Sequence, residues 1–255
     1  MAAAERRAQS VCSQGPLIAF GGTRVHSLAS RLREKNNAFV KSYAQMPLMA
    51  DDAMGGSVCD YPAPSLQIVS GRGSYRWDYL VHHYHYLSLP KLVGEHLKYE
   101  VSINAQIAAC LGWASAAWKI RDRDTFIGWD EQTKRKNLYL VANNVRFLIL
   151  PWVQVEHLAS KILALSLKRL SSDWQAIFGH PVYLAETFVD TSRYPGTCYR
   201  ASNWLHVGQT GTPIFTMVNP RRSIFIPFIE SSGGCFAMTR DEAFGILDME
   251  RERGR

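Results

Sequence analysis

Residues 181–210, PVYLAETFVDTSRYPGTCYRASNWLHVGQT, gather the side chains of this chain best suited to chemistry. Glu186 falls inside an apolar run that reads as a strand, where a carboxylate must be paired or used. It is either a general base with a raised pKa or a buried acid paired with Arg146 or Arg200. Tyr199 is a candidate general acid; the alternative is an aromatic packed on a sheet with its hydroxyl bonded to backbone. Cys198 falls in the first turns of a short helix, where amides and the dipole lower a thiol's pKa, so it is a candidate nucleophile partnered by His206 or His180. Its alternative is a small buried hydrophobe. Asn203 ends the same helix, either as a cap or as a polar contact.

A second constellation is basic and aromatic. Arg121, Asp122, Arg123 and Asp124, then Lys134, Arg135 and Lys136, flank Trp113, Trp118 and Trp129. Cations near exposed aromatic rings suit a nucleic-acid backbone and base stacking; the alternative is a solvated charged loop over core tryptophans. With Arg200 and Asn203, residues Lys134, Arg135 and Lys136 form the candidate nucleic-acid set. His82, His83 and His85 invite a metal reading, but no Cys or acidic ligand lies close in sequence, and no metal is expected.

These groups must be positioned by elements legible in the spacing of apolar residues. Ser74 is a candidate cap for an aromatic helix over 74–87, whose face Trp77, Leu80, Tyr84, Leu87 reads as core. Strands are predicted at 96–104, 145–153, 181–190, 205–210 and 222–229, with 106–119 a strand pair or one long bent strand. Helices are predicted at 133–144, 156–170, 172–179 and 196–204, and a polar connection at 121–131. Strands mixed with helices give an α+β or α/β three-layer domain. Residues 1–26 read as a poorly ordered N-terminus, 27–74 as a helix followed by a linker rich in Pro and Gly, 75–230 as the compact domain, and 231–255 as a charged terminal helix or tail.

The chain has 255 residues and 47% hydrophobic content, enough for a sizeable core. No apolar run reaches the roughly 20 residues that span a bilayer. Arg6 and Arg7 have no apolar stretch behind them, against a secretory signal. The five cysteines are odd in number and widely spaced, against a disulfide framework or zinc site, and a reducing cytoplasm is expected. A net charge of +7 favours nucleic acid, phosphate groups or acidic partners, and no membrane.

The runs YHYLS (84–88), GWASAAWKIRDRDTFIGWD (112–130), NNVRFLILPWVQVEHLASKIL (143–163), DWQAIFGHPVYLAETFVD (173–190) and YPGTCYRASNWLHVGQT (194–210) resemble the DUF4338 family of DruA-like proteins. That resemblance implies a component of bacterial anti-phage defence or mobile-element biology, working on or near nucleic acid and with other defence-system or transposase proteins. It brings no biochemical activity. After Thr210 the chain reads GTPIFTMVNPRRS where the family has a basic, glycine-rich loop.

The order of elements also resembles the GNAT (acyl-CoA N-acyltransferase) fold, which implies a mixed, mostly antiparallel sheet flanked by helices. In that fold a Gln/Arg-x-x-Gly-x-Gly/Ala turn holds the coenzyme's pyrophosphate on backbone amides and a helix N-terminus. The matching positions are Gln154, His157 and Ala159. His157 replaces the glycine and Glu156 would repel phosphate, so no cofactor is expected although acyl-CoA is the one the fold implies. Tyr199 matches the fold's tyrosine that protonates a leaving thiolate. Two readings follow: a nucleic-acid- or partner-binding module that has lost coenzyme chemistry, or a divergent acyl- or group-transferase using Tyr199 and Glu186.

Overall fold

A computed structural model of the chain describes residues 53–210 and the backbone of three further strands, β1 (Leu17–Phe20), β2 (Thr23–His26) and β11 (Arg222–Ile226). The helix predicted within 27–46 and the terminal segment 231–255 lie outside the described residues. β1 and β2 pair with each other antiparallel.

The remaining strands are β3 (Met54–Ser57), β4 (Ser65–Ile68), β5 (His96–Ile103), β6 (Gln106–Ser115), β7 (Val141–Ile149), β8 (Val153–Glu156), β9 (Leu184–Asp190) and β10 (Leu205–Gln209). Seven form one sheet in the order β10-β11-β9-β7-β6-β5-β4. Every neighbouring pair is antiparallel except β7 with β9. This is the expected α+β fold with a mixed, mostly antiparallel sheet. The β5–β6 hairpin turns at Asn104 and Ala105, both with positive φ (50° and 66°), the pairing that matches the twist of the two strands.

The helices are α1 (Tyr75–Tyr84), α2 (Arg121–Ile127), α3 (Glu131–Asn137), α4 (Leu158–Phe178) and α5 (Thr197–Ala201). α1 buries Trp77 and Leu80 as its spacing predicts. Ser74 does not cap it: the Ser74 hydroxyl donates instead to Gly71 O at 2.9 Å. α4 is one helix where two were expected. Ser171-Ser172 reads as a break, but Ser172 Oγ donates to Arg169 O at 2.9 Å, which satisfies the hydroxyl inside the helix and lets it continue. It stops at Gly179, whose φ of 85° disfavours other residues.

Three further differences have local causes. The polar connection at 121–131 contains α2, because its apolar residues Phe126 and Ile127 find a small core of their own with Val141, Leu184 and Ile226. The helix predicted to run to 144 ends at Asn137, and β7 begins at Val141; the start is fixed by Asp130, whose Oδ1 accepts the Thr133 N–H at 2.6 Å. The linker at 47–74 holds β3 and β4, so the sheet begins before Ser74. β4 is an edge strand, the place where flanking prolines such as Pro62 and Pro64 do no harm to a ladder.

Candidate functional site

β7 and β9 pair only over Val141–Asn144 with Leu184–Thr187. At that point the β6–β7 register shifts: Trp113 faces Asn144 and Gly112 faces Arg146, leaving Val145 as the extra residue of a bulge. Beyond it the two strands part and open a cleft. Its walls include Asn144, Arg146 and Phe147 from β7, Thr187, Val189 and Asp190 from β9, His85 and Tyr86 after α1, and Tyr194 and Tyr199.

Tyr199 is buried against Phe147 and Trp204, and its hydroxyl donates to Asn144 Oδ1 at 3.2 Å. Burial raises its pKa far above the usual phenol value, so it holds its proton. Arg146 reaches across the cleft to the loop after α1, donating to Ser88 O at 2.8 Å and to Leu87 O at 3.4 Å. His85 is buried beside it. Its Nδ1 accepts the Leu87 N–H at 3.2 Å, and burial, with the Arg146 charge second, holds its pKa well below 6.5. Asp190, 1% exposed, closes the other end by accepting the Ser192 hydroxyl and backbone N–H.

Glu186 lies on the opposite face of β9 from Thr187 and Val189, because successive strand residues alternate. Its partner is Arg123, neither Arg146 nor Arg200. Arg123 Nη1 donates to Glu186 Oε2 at 2.9 Å, and the Ala117 N–H donates to Oε1 at 3.1 Å. Burial raises the Glu186 pKa, while Arg123 pulls the other way. The chain of charges continues outward: Arg123 donates to Asp124 Oδ1, and Lys134 Nζ lies 3.2 Å from Asp124 Oδ2 and 2.6 Å from Glu131 Oε2. The structure therefore does not bring Glu186 and Tyr199 together. Cys198 is fully buried in the core with Tyr199 and Trp204, and Ser202 Oγ donates to its backbone carbonyl at 2.7 Å.

The nucleic-acid candidates separate as well. Lys134 is buried in the ion-pair chain just described. Arg135 is exposed but lies 3.6 Å from Glu131, and Lys136 is exposed. Trp113 is core and Trp129 packs on the small core, while Trp118 is 46% exposed. Arg200 and Asn203 are exposed on and just after α5, with Arg200 Nη1 donating to Pro195 O at 2.8 Å. Among the described residues no group of three or more ligating side chains could hold a metal ion. His82 and His83 instead bond to Ser88 and to Tyr79 O.

The coenzyme turn fits its group poorly. Gln154 and Glu156 lie in β8, which pairs in parallel with β3, and Met54 N–H donates to Trp152 O at 2.9 Å. That register turns the Gln154 and Glu156 amides toward β3, where a pyrophosphate would need them open. Glu156 is exposed, His157 takes a φ of 63° where glycine is favoured, and Ala159 is buried at the start of α4.

Asn144 and Thr187 are absent from the sequence candidates, and Arg146 and His85 stand among them only in other roles, as a partner for Glu186 and as a metal ligand. The one available signal was the Asn143-Asn144 pair opening an otherwise apolar run, which reading 133–144 as helix concealed. Arg123 stood in plain view but was grouped with surface charge.

Similar solved structures include spermidine N-acetyltransferase from Vibrio cholerae in complex with CoA and spermine, at 10% identity over 66% of this chain and 96% of that one, TM-score 0.44. AAC(6')-Ib in complex with ribostamycin and coenzyme A matches at 10% identity over 65% of this chain and 93% of that one, TM-score 0.43. No curated protein matches in sequence. The family model described as Druantia protein DruA matches residues 24–219, which takes in the cleft, the buried ion-pair chain and the segment before residue 75 as well. With most of its length inside that match, the chain belongs to the DruA family.

Proposed function

We propose that this DruA-family chain serves a Druantia-type anti-phage system as a binding module acting on nucleic acid, alone or with other defence-system or transposase proteins, on a scaffold that does not use coenzyme A. The observation that carries this reading is the pairing of β8 with β3, which takes up backbone that a pyrophosphate would require, next to the exposed carboxylate of Glu156. The net charge of +7 agrees with an anionic partner. No described helix is long and apolar enough to cross a membrane, and we place the chain in the cytoplasm.

The test is a thermal-shift titration with acetyl-CoA and with single- and double-stranded DNA. A ligand that binds the folded state must raise the melting temperature by mass action. A rise with nucleic acid and none with acetyl-CoA is the expected result. A saturable rise with acetyl-CoA overturns the reading.

One observation favours the second reading, a divergent acyl- or group-transferase: Tyr199 sits with its proton at the wall of the cleft. Glu186 lies across the sheet from it, so that chemistry would rest on Tyr199 without Glu186 as its base.

A further inference from the structure

Trp118 is the one tryptophan among the described residues with nearly half its surface in water. It sits in the loop that leads from β6 to α2, and the Lys134 ammonium of α3 stands 5.9 Å from its ring centroid. Lys134 is held there by Asp124 and Glu131, so the ring has a fixed cationic neighbour that limits its motion. The indole is held in the open, while Trp77, Trp113 and Trp174 are buried completely.

The charges around it have a consistent arrangement. All four acids of this region are engaged within the fold: Asp122 accepts the Gln209 N–H, Asp124 holds Arg123 and Lys134, Asp130 caps α3, and Glu131 holds Lys134 and Arg135. The exposed cations Lys119 and Arg121, beside Trp118 in the chain, have no ion pair among the described residues. Two exposed cations therefore flank one flat ring.

We infer that Trp118, Lys119 and Arg121 form a binding surface for single-stranded nucleic acid, with an unpaired base stacked on Trp118 and phosphates on the two cations. A duplex keeps its bases stacked on one another and offers its phosphates but no free base face. This surface deepens the binding-module reading and rests on it. It is separate from the cleft and from the coenzyme turn.

The experiment is fluorescence anisotropy of the full chain with a labelled oligothymidylate, the matching oligouridylate and a duplex of equal length, at two salt concentrations. Single strands of either sugar bind more tightly than duplex. Trp118→Ala weakens single-strand binding by about fivefold or more and leaves duplex binding unchanged, because stacking contributes on the order of 1–3 kcal/mol per base. Trp118→Phe recovers much of the loss. Lys119→Glu and Arg121→Glu weaken both forms and flatten the salt dependence. Each variant is exposed, and an unchanged melting temperature checks its fold. Equal affinity for single strands and duplex, or a Trp118→Ala variant that binds single strands as the parent does, overturns the inference. If the charge variants then still abolish binding, nucleic-acid recognition survives without the stacking surface. If no nucleic acid binds at all, both fall.

Discussion

Arg123 and Glu186 face each other at 2.9 Å with neither side chain exposed to water. The pair joins α2 to β9 and draws Ala117 into the same contact. A buried pair of this kind is weak evidence of net stability, but removing one member strands the other charge. Arg123→Met should therefore destabilise the fold by about 3–5 kcal/mol, and Glu186→Gln by less, because the amide still accepts one hydrogen bond. Urea denaturation of the two variants decides this. Equal losses would mean that the hydrogen bond kept by the amide does not ease the stranding of Arg123.

Lys134 and Lys136 are two residues apart and should behave oppositely. Lys134→Glu places a carboxylate against Asp124 and Glu131 and should lower the melting temperature, with nucleic-acid affinity changed only as far as folding is lost. Lys136→Glu should leave the melting temperature in place and reduce the salt slope of nucleic-acid binding by about one. Measuring melting and binding on the same preparations separates the two.

Gly208 of β10 lies against the Asp122 side chain, so closely that a Cβ there would collide with the carboxylate. Gly208→Ala should destabilise the protein by about 1–3 kcal/mol. Asp122→Ala in the same chain should recover part of that loss, a coupling read from the four-member cycle of melting curves. Purely additive effects would show that the clash is relieved elsewhere.

His85 gives the cleft a pH dependence of known sign. Its folded pKa is lowered below 6.5, so between 6.5 and that lower value the unfolded chain binds more protons than the folded one. Stability then rises with pH through this window and is lost as pH falls below about 6.5. Of the groups around it, the Arg146 charge reinforces the shift, and Leu87 N–H on Nδ1 favours the neutral ring. His85→Gln should flatten the stability profile on the acid side of neutrality.

Tyr199→Phe removes the hydrogen bond to Asn144 Oδ1 and should lower stability by about 1 kcal/mol. On the binding-module reading, a phage-protection assay with this variant, and with Glu186→Gln where it folds, is unchanged. Loss of protection by a stably folded Tyr199→Phe chain would favour the transferase reading.

Spacing alone made much of the sheet legible. The apolar runs of β5, β6 and β9 and the periodicity of α1 and α4 report burial directly, and burial is what the fold selects. The buried Glu186 was visible as an anomaly, but its partner was not, since Arg123 lies 63 positions away inside a run of alternating charges. The cleft was hidden for a different reason. It arises where two strands stop pairing, and Asn144 and Thr187 mark that point only once the register of β7 and β9 is known. β3 was missed because Gly55-Gly56 carries no side-chain pattern at all; the strand exists through backbone pairing with β8.

That pairing also sets an order of events. Met54 and Val153 are neighbours in space, yet β4, α1, β5, β6, α2, α3 and β7 all lie between them in the chain. The loop they close is long, and its entropy is recovered only after the central hairpin has formed. The β3–β8 ladder is then a late step in folding and an early one in local opening, with only two short strands to hold it. Amide hydrogen exchange at Met54 and Gly56 should run ahead of exchange at Leu111 and Leu148, which lie in the middle of the sheet.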